Sequence, residues 1–468
     1  MRLHQKGCYM DTQVFDNAER LRKYEEKKAK LMQELLALSI AQGNGIRLKK
    51  TTSNLFRDRK PAKKKIDVRH FNQVISIDSI NQTAEIEGMT TYEEIVNKTL
   101  EFDFLPTVVP QLKSITIGGA LAGCGIESSS FRYGLAHETM LEYEVILGDG
   151  RVITVNQNNE HQKFYYAFPN TYGTLGYALK IKIKLIPVKK YVKLNHLHFT
   201  NAEEYFLQLK KLCGENRTQS PICFIDGVIF DKDNMYITLG EFVDDAPFTS
   251  NYKYMNIYYQ SIKRKSVDYL ITKDYIWRWD SDWFWCSKNF FMQNYFVRFL
   301  FGKLMLKSTV YMKIRRFFNS NKFARKVADA MTGPVESVIQ DVEIPIHHAK
   351  NFLDFFQHEI GIKPIWICPT KAYQENHLYS FYEMDPNILY VNFGFWDMVP
   401  TKHEEGFYNK KIENKVQELD GNKSLYSRVY YSEDQFWKIF NKELYDSLKK
   451  QYDPKGSFSD LFLKCHGN

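Results

Sequence analysis

A cluster of glycines between positions 108 and 130 constrains this chain more than any other feature. Gly118, Gly119, Gly123 and Gly125 fall within eight residues, with Thr116, Ser128, Ser129 and Ser130 around them. Without a Cβ, backbone amides can approach a bulky anion or a planar ring, and the hydroxyls add donors. That chemistry suits a diphosphate and the edge of a flavin. The spacing excludes the two commonest nucleotide motifs. Gly123-x-Gly125 has no third glycine at the dinucleotide offset and no strand-forming run leads directly into it, while Gly-x-x-x-x-Gly-Lys-Ser/Thr is absent.

Around this cluster the pattern alternates between helical and extended. Residues 16–42 place Leu21, Tyr24, Leu31, Leu35 and Leu38 at helical spacing before Gly43-Asn44-Gly45, which predicts an amphipathic helix with a glycine stop. Short β runs follow over 66–87, then a helix over 91–101 and a hairpin over 141–155 turning at Gly148-Asp149-Gly150. The clearest strand is 177–185, where Tyr177, Leu179, Ile181, Ile183 and Leu185 alternate with Ala178 and three lysines. Pro187 ends it, and Lys189-Lys190 marks a domain boundary. Beyond it, strands at 226–230 and 235–239 interleave with helix-like stretches. No regular βαβ period appears, so the fold class is α+β.

Composition enters where partners are weighed. The 468 residues carry a net charge of +9 and 15% aromatics. Basic and aromatic surface together admit nucleic acid, a membrane surface or a flat apolar ligand. The densest such stretch is 274–318, with Trp277-Arg278-Trp279, Trp283-Phe284-Trp285, Tyr295 to Lys307, and Lys313, Arg315 and Arg316. It predicts peripheral contact with a bilayer. No nucleic-acid module accompanies it, so no nucleic-acid partner is expected. His196 and His198 share a strand face and His347-His348 are adjacent, but no further ligands have suitable spacing, so no metal site is expected. Seven scattered cysteines without a Cys-x-x-Cys pair, no apolar run of spanning length and no secretory-type start predict a cytoplasmic protein, peripheral on the cytoplasmic face of a membrane.

Several motifs carry a resemblance. The glycine segment, Thr52-Ser53-Asn54-Leu55-Phe56-Arg57, Glu87-Gly88-Met89, 169–177, Asp282-Trp283-Phe284-Trp285-Cys286-Ser287, 338–345, 364–369 and 389–394 run in order along the chain. Together they resemble the vanillyl-alcohol-oxidase, or PCMH-type, flavoproteins. Within these they are most similar to the delta-24 sterol reductase (seladin/diminuto) group and its bacterial lipid-reductase relatives. The resemblance implies a helical extension over 1–47, a two-subdomain FAD-binding domain over 48–190, and an α+β substrate (cap) domain with an antiparallel sheet over 191–468. It implies that Thr52, Ser53 and Asn54 line the diphosphate. Thr116, Ile117, Gly118, Gly119, Gly123, Gly125, Ile126, Glu127, Ser128 and Ser129 would wrap the rest of FAD, with His137, Gly173 and Thr174 nearby. The loop holds no histidine, so dissociable FAD is expected.

The implied reaction is reduction of an isolated carbon–carbon double bond of a lipid, with NADPH or NADH recharging the flavin. Such an alkene has no carbonyl to accept charge, so the site needs a proton donor and a dry apolar pocket. Cys368, Tyr390 and Asn392 are the candidates over the flavin. An alcohol or sugar oxidase on the same scaffold, and a non-catalytic lipid-binding protein, are the alternatives.

Overall fold

Alternation along 177–187 decides the first layer. The computed structural model describes residues 5–40, 45–57, 64–306, 310 and 333–466 of the chain. A parallel pair, β1 (Arg47–Lys49) and β2 (Lys65–Asp67), precedes a six-stranded antiparallel sheet. That sheet contains β3 (Val74–Asp78), β4 (Thr83–Glu87), β5 (Phe104–Pro106), β6 (Met140–Ile146), β7 (Val152–Asn156) and β8 (Tyr177–Pro187). Its order is β3-β4-β8-β6-β7, with β5 also paired to β8, so the strand with the cleanest alternation sits at the centre. Leu179, Ile181, Ile183 and Leu185 of β8 are buried.

The lysine face of β8 is not left to water. The helix Gln5–Ile40 lies across it and buries Tyr24, Leu31 and Leu35. Lys180 of β8 and Lys28 of the helix both pair with Glu144 of β6 at 2.9 Å, and the Tyr24 hydroxyl donates to the same carboxylate at 2.9 Å. Lys27 pairs with the buried Glu87. A charged strand face is thereby covered by a helix of matching charge, its carboxylates each neutralised.

The second sheet is antiparallel and eight-stranded among the described residues. It comprises β9 (Tyr191–Phe199), β10 (Ile222–Asp231), β11 (Asn234–Val243), β12 (Val267–Ile271), β13 (Val335–Pro345), β14 (Ile365–Thr370), β15 (Tyr390–Pro400) and β16 (Asn422–Lys423). Their order is β12-β9-β11-β10-β14-β15-β13-β16. One face packs Val338, Val342, Ile367, Val391 and Phe393 under the helices Ala202–Glu215, Ala349–Glu359 and Phe407–Glu418. The opposite face presents Trp366, Cys368, Tyr390 and Trp396 to a core shared with the first sheet. Period-two alternation thus sends one residue set to the helices and the other toward the glycine segment. The α+β class and the antiparallel second sheet are as the sequence reading expects.

The C-terminal segment returns to the first layer. Ser457 accepts the Gly45 and Ile46 amides at 3.1 and 2.9 Å, and Phe458 packs edge-on against Tyr177. This return brings the last helix, Leu461–Cys465, beside the glycine segment.

Candidate functional site

The glycine segment folds as the short helix Ile117–Gly123 and the loop that follows it. Thr116 caps the helix, accepting from the Gly119 amide at 3.2 Å. Ile117 donates to the Thr90 carbonyl and Gly118 to that of Gly88, at 3.0 and 2.9 Å. These contacts explain two of the glycines. A Cβ on Gly118 would lie 2.7 Å from the Gly88 oxygen, and one on Gly88 would lie 2.1 Å from the Ala178 oxygen. Three backbones stack here with no room for a side chain.

Between this stack and the second sheet lies a cleft that opens to solvent. Thr52, Ser53, Asn54, Thr116, Gly118, Gly119, Gly123, Gly125, Ile126 and Gly173 line it. The loop carrying the first three is pinned at both ends. Thr52 Oγ1 donates to the Ser114 carbonyl at 3.0 Å, Ser114 Oγ donates to Asn54 Oδ1 at 2.9 Å, and the Phe56 amide donates to the Tyr426 carbonyl at 2.9 Å.

One wall of the cleft is cationic. Arg47, Lys50, Arg57 and Lys464 line it, against Asp341 as the one carboxylate among the lining residues. The buried Arg57 donates through Nε to the Leu425 carbonyl at 3.1 Å and through Nη1 to the Lys464 carbonyl, and its guanidinium lies over the Tyr172 ring. Its Nη2 is buried without a hydrogen-bond partner. Burial and the charges of Arg57, Arg47 and Lys50 hold the Lys464 ammonium well below its ordinary pKa. Four basic groups crowded in one wall disfavour one another's charge, and an anion between them would relieve that repulsion.

Beside it the lining is aromatic, with Trp283, Phe284, Trp396 and Tyr426. Phe284 packs against Trp396 with ring centroids 4.3 Å apart. Trp283, Phe284 and Trp285 have φ of 51°, 54° and 56°, three consecutive bulky residues in the left-handed region. Each costs roughly 1–2 kcal/mol there, a strain held by burial of all three rings.

Asp341 stands beside these rings. It lies on β13 opposite Gly394, accepts from Asn392 Nδ2 at 3.0 Å, and is bonded by Tyr426, whose hydroxyl accepts from Trp396 Nε1 at 3.0 Å. Burial pushes its carboxyl up to about 6, against those two hydrogen bonds. Two residues along the strand, the buried Glu343 accepts from the Tyr382 hydroxyl, and burial together with Asp341 raises its pKa well above the ordinary value.

The other expected residues sit apart from the cleft. Ile117 packs into the core. Glu127 pairs with Arg278 at 2.7 Å, Ser128 Oγ meets the Tyr275 hydroxyl at 3.0 Å, Ser129 Oγ donates to the Thr107 carbonyl at 2.7 Å, and Thr174 Oγ1 donates to the Thr171 carbonyl at 2.8 Å. His137 is buried edge-on against Tyr379, and burial lowers its pKa to about 3, so it is neutral. Among the three proposed over the ring, Asn392 reaches the cleft only through Asp341. Cys368 lies opposite Asn392 on β14 and burial raises its thiol pKa, while the Tyr390 hydroxyl accepts the Asp385 amide at 3.1 Å. Sequence reading missed Asp341 and Arg57 although both stand inside motifs it quotes. For Lys464 no local signal exists.

Residues 31–156 match the family model described as an FAD binding domain. The chain is 27% identical to the Delta(24)-sterol reductase of Mus musculus over 408 residues, covering 84% of this chain and 75% of the relative. It is 26% identical to that of Arabidopsis thaliana over 442 residues, covering 85% and 76%. The chain is an FAD-linked oxidoreductase. A more distant likeness, 24% over 164 residues and 35% of this chain, is to cytokinin dehydrogenase 7 of Oryza sativa subsp. japonica. The cleft of this oxidoreductase fits FAD on its own geometry. The cationic wall suits a diphosphate, the glycine stack lets backbone meet the cofactor, and the aromatic lining suits a flat ring. Arg57→Ala is expected to weaken FAD binding by about 10- to 100-fold, the loss of one charge-assisted contact. Titration of FAD-stripped protein by fluorescence quenching checks it, with the melting temperature without FAD as the fold control.

Proposed function

We propose that this oxidoreductase reduces an isolated carbon–carbon double bond in a lipid, a sterol side chain or a methylene-bearing fatty acyl chain, using dissociable FAD recharged by NADPH or NADH. One observation carries the reading: a single carboxylate, Asp341, lines the cleft, held by Asn392 and Tyr426 with its pKa raised to about 6. The names of the relatives, Delta(24)-sterol reductases, support the same bond type. No histidine is among the lining residues, which supports non-covalent FAD.

Bound FAD supplies the hydride. This chain's residues supply the rest. The Asp341 carboxyl gives its proton to the less substituted alkene carbon and becomes a carboxylate, which solvent later reprotonates. Asn392 Nδ2 and the Tyr426 hydroxyl hold that carboxyl in place. The faces of Trp283, Phe284 and Trp396 are suited to the transient positive charge and exclude water. A neutral Asp341 is the working form, so turnover falls as pH rises through the carboxyl's pKa, and an apolar chain over it moves that fall above pH 6. An oxidation of an alcohol would use the carboxylate as base and rise over the same range. Mass spectrometry of lipids from cells expressing the protein tests the reading. Products carrying two added hydrogens support it, and an oxidised alcohol with no saturated lipid contradicts it.

A further inference from the structure

The helix Tyr295–Met305 is built inside out. Its arginine, Arg298, is 1% exposed and pairs through Nη1 with the buried Asp282 at 2.6 Å, while its Nε donates to the Tyr254 carbonyl. Its large apolar residues face solvent instead. Tyr295 is 68% exposed, Phe296 74%, Phe299 58%, Leu300 68% and Phe301 54%, and Phe291 in the preceding turn is 77% exposed. Asn294 caps the helix through Phe296 and Val297, and the Tyr254 hydroxyl donates to the Phe299 carbonyl, so the arrangement is fixed from beneath. A water-facing helix puts its charges outside and its rings inside. This one buries Arg298 and turns five large apolar side chains to solvent.

The tryptophans that the sequence reading assigns to a bilayer are elsewhere. Trp277, Trp279, Trp283 and Trp285 are buried, because Arg278 among them is neutralised internally by Glu127 and Asp226. Lys307, Lys313, Arg315 and Arg316 lie outside the described residues.

We infer that Phe291 and the helix Tyr295–Met305 form a docking surface for an anionic lipid bilayer, lying in the interface plane with the rings at the acyl boundary. Charge selects this partner over a second copy of the chain. Besides Lys288 and Arg298, which pair with Asp397 and Asp282, the sequence between Asp282 and Asp329 has eight Lys and Arg residues and no Asp or Glu. A self-complementary interface would set that stretch against itself, whereas phosphate and carboxylate headgroups complement it. Trp283, Phe284 and Cys286 of the neighbouring turn line the FAD cleft, so the surface and the cleft share one run of chain. The inference stands on the surface alone and survives or fails independently of the reaction proposed above.

Flotation of the FAD-loaded 468-residue chain with phosphatidylcholine vesicles, with and without phosphatidylserine, tests it. The wild type is expected to float with the anionic vesicles in low salt and less in high salt. The pair Phe296→Ser/Leu300→Ser is expected to lower the bound fraction at least about tenfold with FAD content unchanged. The non-overlapping pair Phe299→Ser/Phe301→Ser should do the same, which separates surface loss from misfolding of one variant. A wild type that stays at the bottom of the gradient with anionic vesicles overturns the inference, as do variants that float like the wild type. A dimer seen by sedimentation that both variants dissolve, without flotation, reassigns the surface to self-association.

Discussion

Asp341→Asn is expected to cut reduction of a lipid alkene by about 10²- to 10⁴-fold, the usual contribution of a positioned acid, while FAD stays bound and is still bleached by the nicotinamide cofactor. The substitution keeps the shape of a half-buried residue held between Asn392 and Tyr426 and removes only the transferable proton. Rapid mixing separates the two half-reactions: flavin reduction should run at the wild-type rate and alkene-dependent reoxidation should be lost. The pH profile gives a second readout. The folded-state pKa of Asp341 is raised to about 6, so the acid form dominates below that value and declines above it. Wild-type turnover should fall on the alkaline side, and the residual activity of the variant should lose that limb. Unchanged turnover in Asp341→Asn would place the proton donor elsewhere on the same sheet face, with Cys368 and Glu343 the next groups to replace.

Arg278→Met is expected to destabilise the fold by about 3–5 kcal/mol, as breaking a fully buried ion pair does. The Arg278 side chain is fully buried, with Nη2 2.7 Å from Glu127 and 2.8 Å from Asp226, whose carboxylate also accepts from Trp366 Nε1 at 3.3 Å. Removing the cation leaves two buried carboxyls with no counter-charge. The pH dependence has a definite sign. Burial already raises the Glu127 pKa, opposed chiefly by Arg278, so losing the arginine raises it further. A folded pKa above the unfolded one contributes stability below the unfolded value that is lost as pH rises. The deficit against wild type should therefore be smallest near pH 4 and widest at neutral pH and above. Urea unfolding across that range measures it, and a deficit independent of pH would show that lost packing, not charge, dominates.

The legible parts of the molecule were those whose cause is local. The alternation of β8 and the hairpin of β6 and β7 each follow from neighbours in the chain and stand where the sequence reading puts them, whereas the glycine segment, read only as a backbone cradle, contains the short helix Ile117–Gly123. Helix 16–42 reads correctly over Leu21 to Leu38 but begins at Gln5, because a helical backbone can continue where the apolar spacing that betrays it stops. Nothing in the eleven residues of β8 announces that a helix more than a hundred positions earlier reaches its charged face, where Lys28 of that helix and Lys180 of β8 share Glu144 of β6. The tryptophan stretch misleads for the same reason: Glu127 and Asp226, the partners that take Arg278 inside, are 151 and 52 residues away. Arg57 and Lys464 are 407 residues apart and meet only because the C-terminal segment returns to β1 and β8. A cationic wall assembled that way has no sequence signature.

The central claim is that reduced FAD in this cleft delivers its electrons to a lipid double bond. The direct measurement is an anaerobic one. The holoprotein is bleached with NADPH or NADH, freed of excess nucleotide, and mixed with a sterol carrying an isolated side-chain alkene or with a methylene-bearing fatty acyl lipid, while flavin absorbance is followed and the lipid is weighed by mass spectrometry. The account predicts that one of these lipids restores the oxidised flavin spectrum and gains two hydrogens in equal amount. A flavin that stays bleached with both alkenes, but is itself reduced by an alcohol, would contradict it.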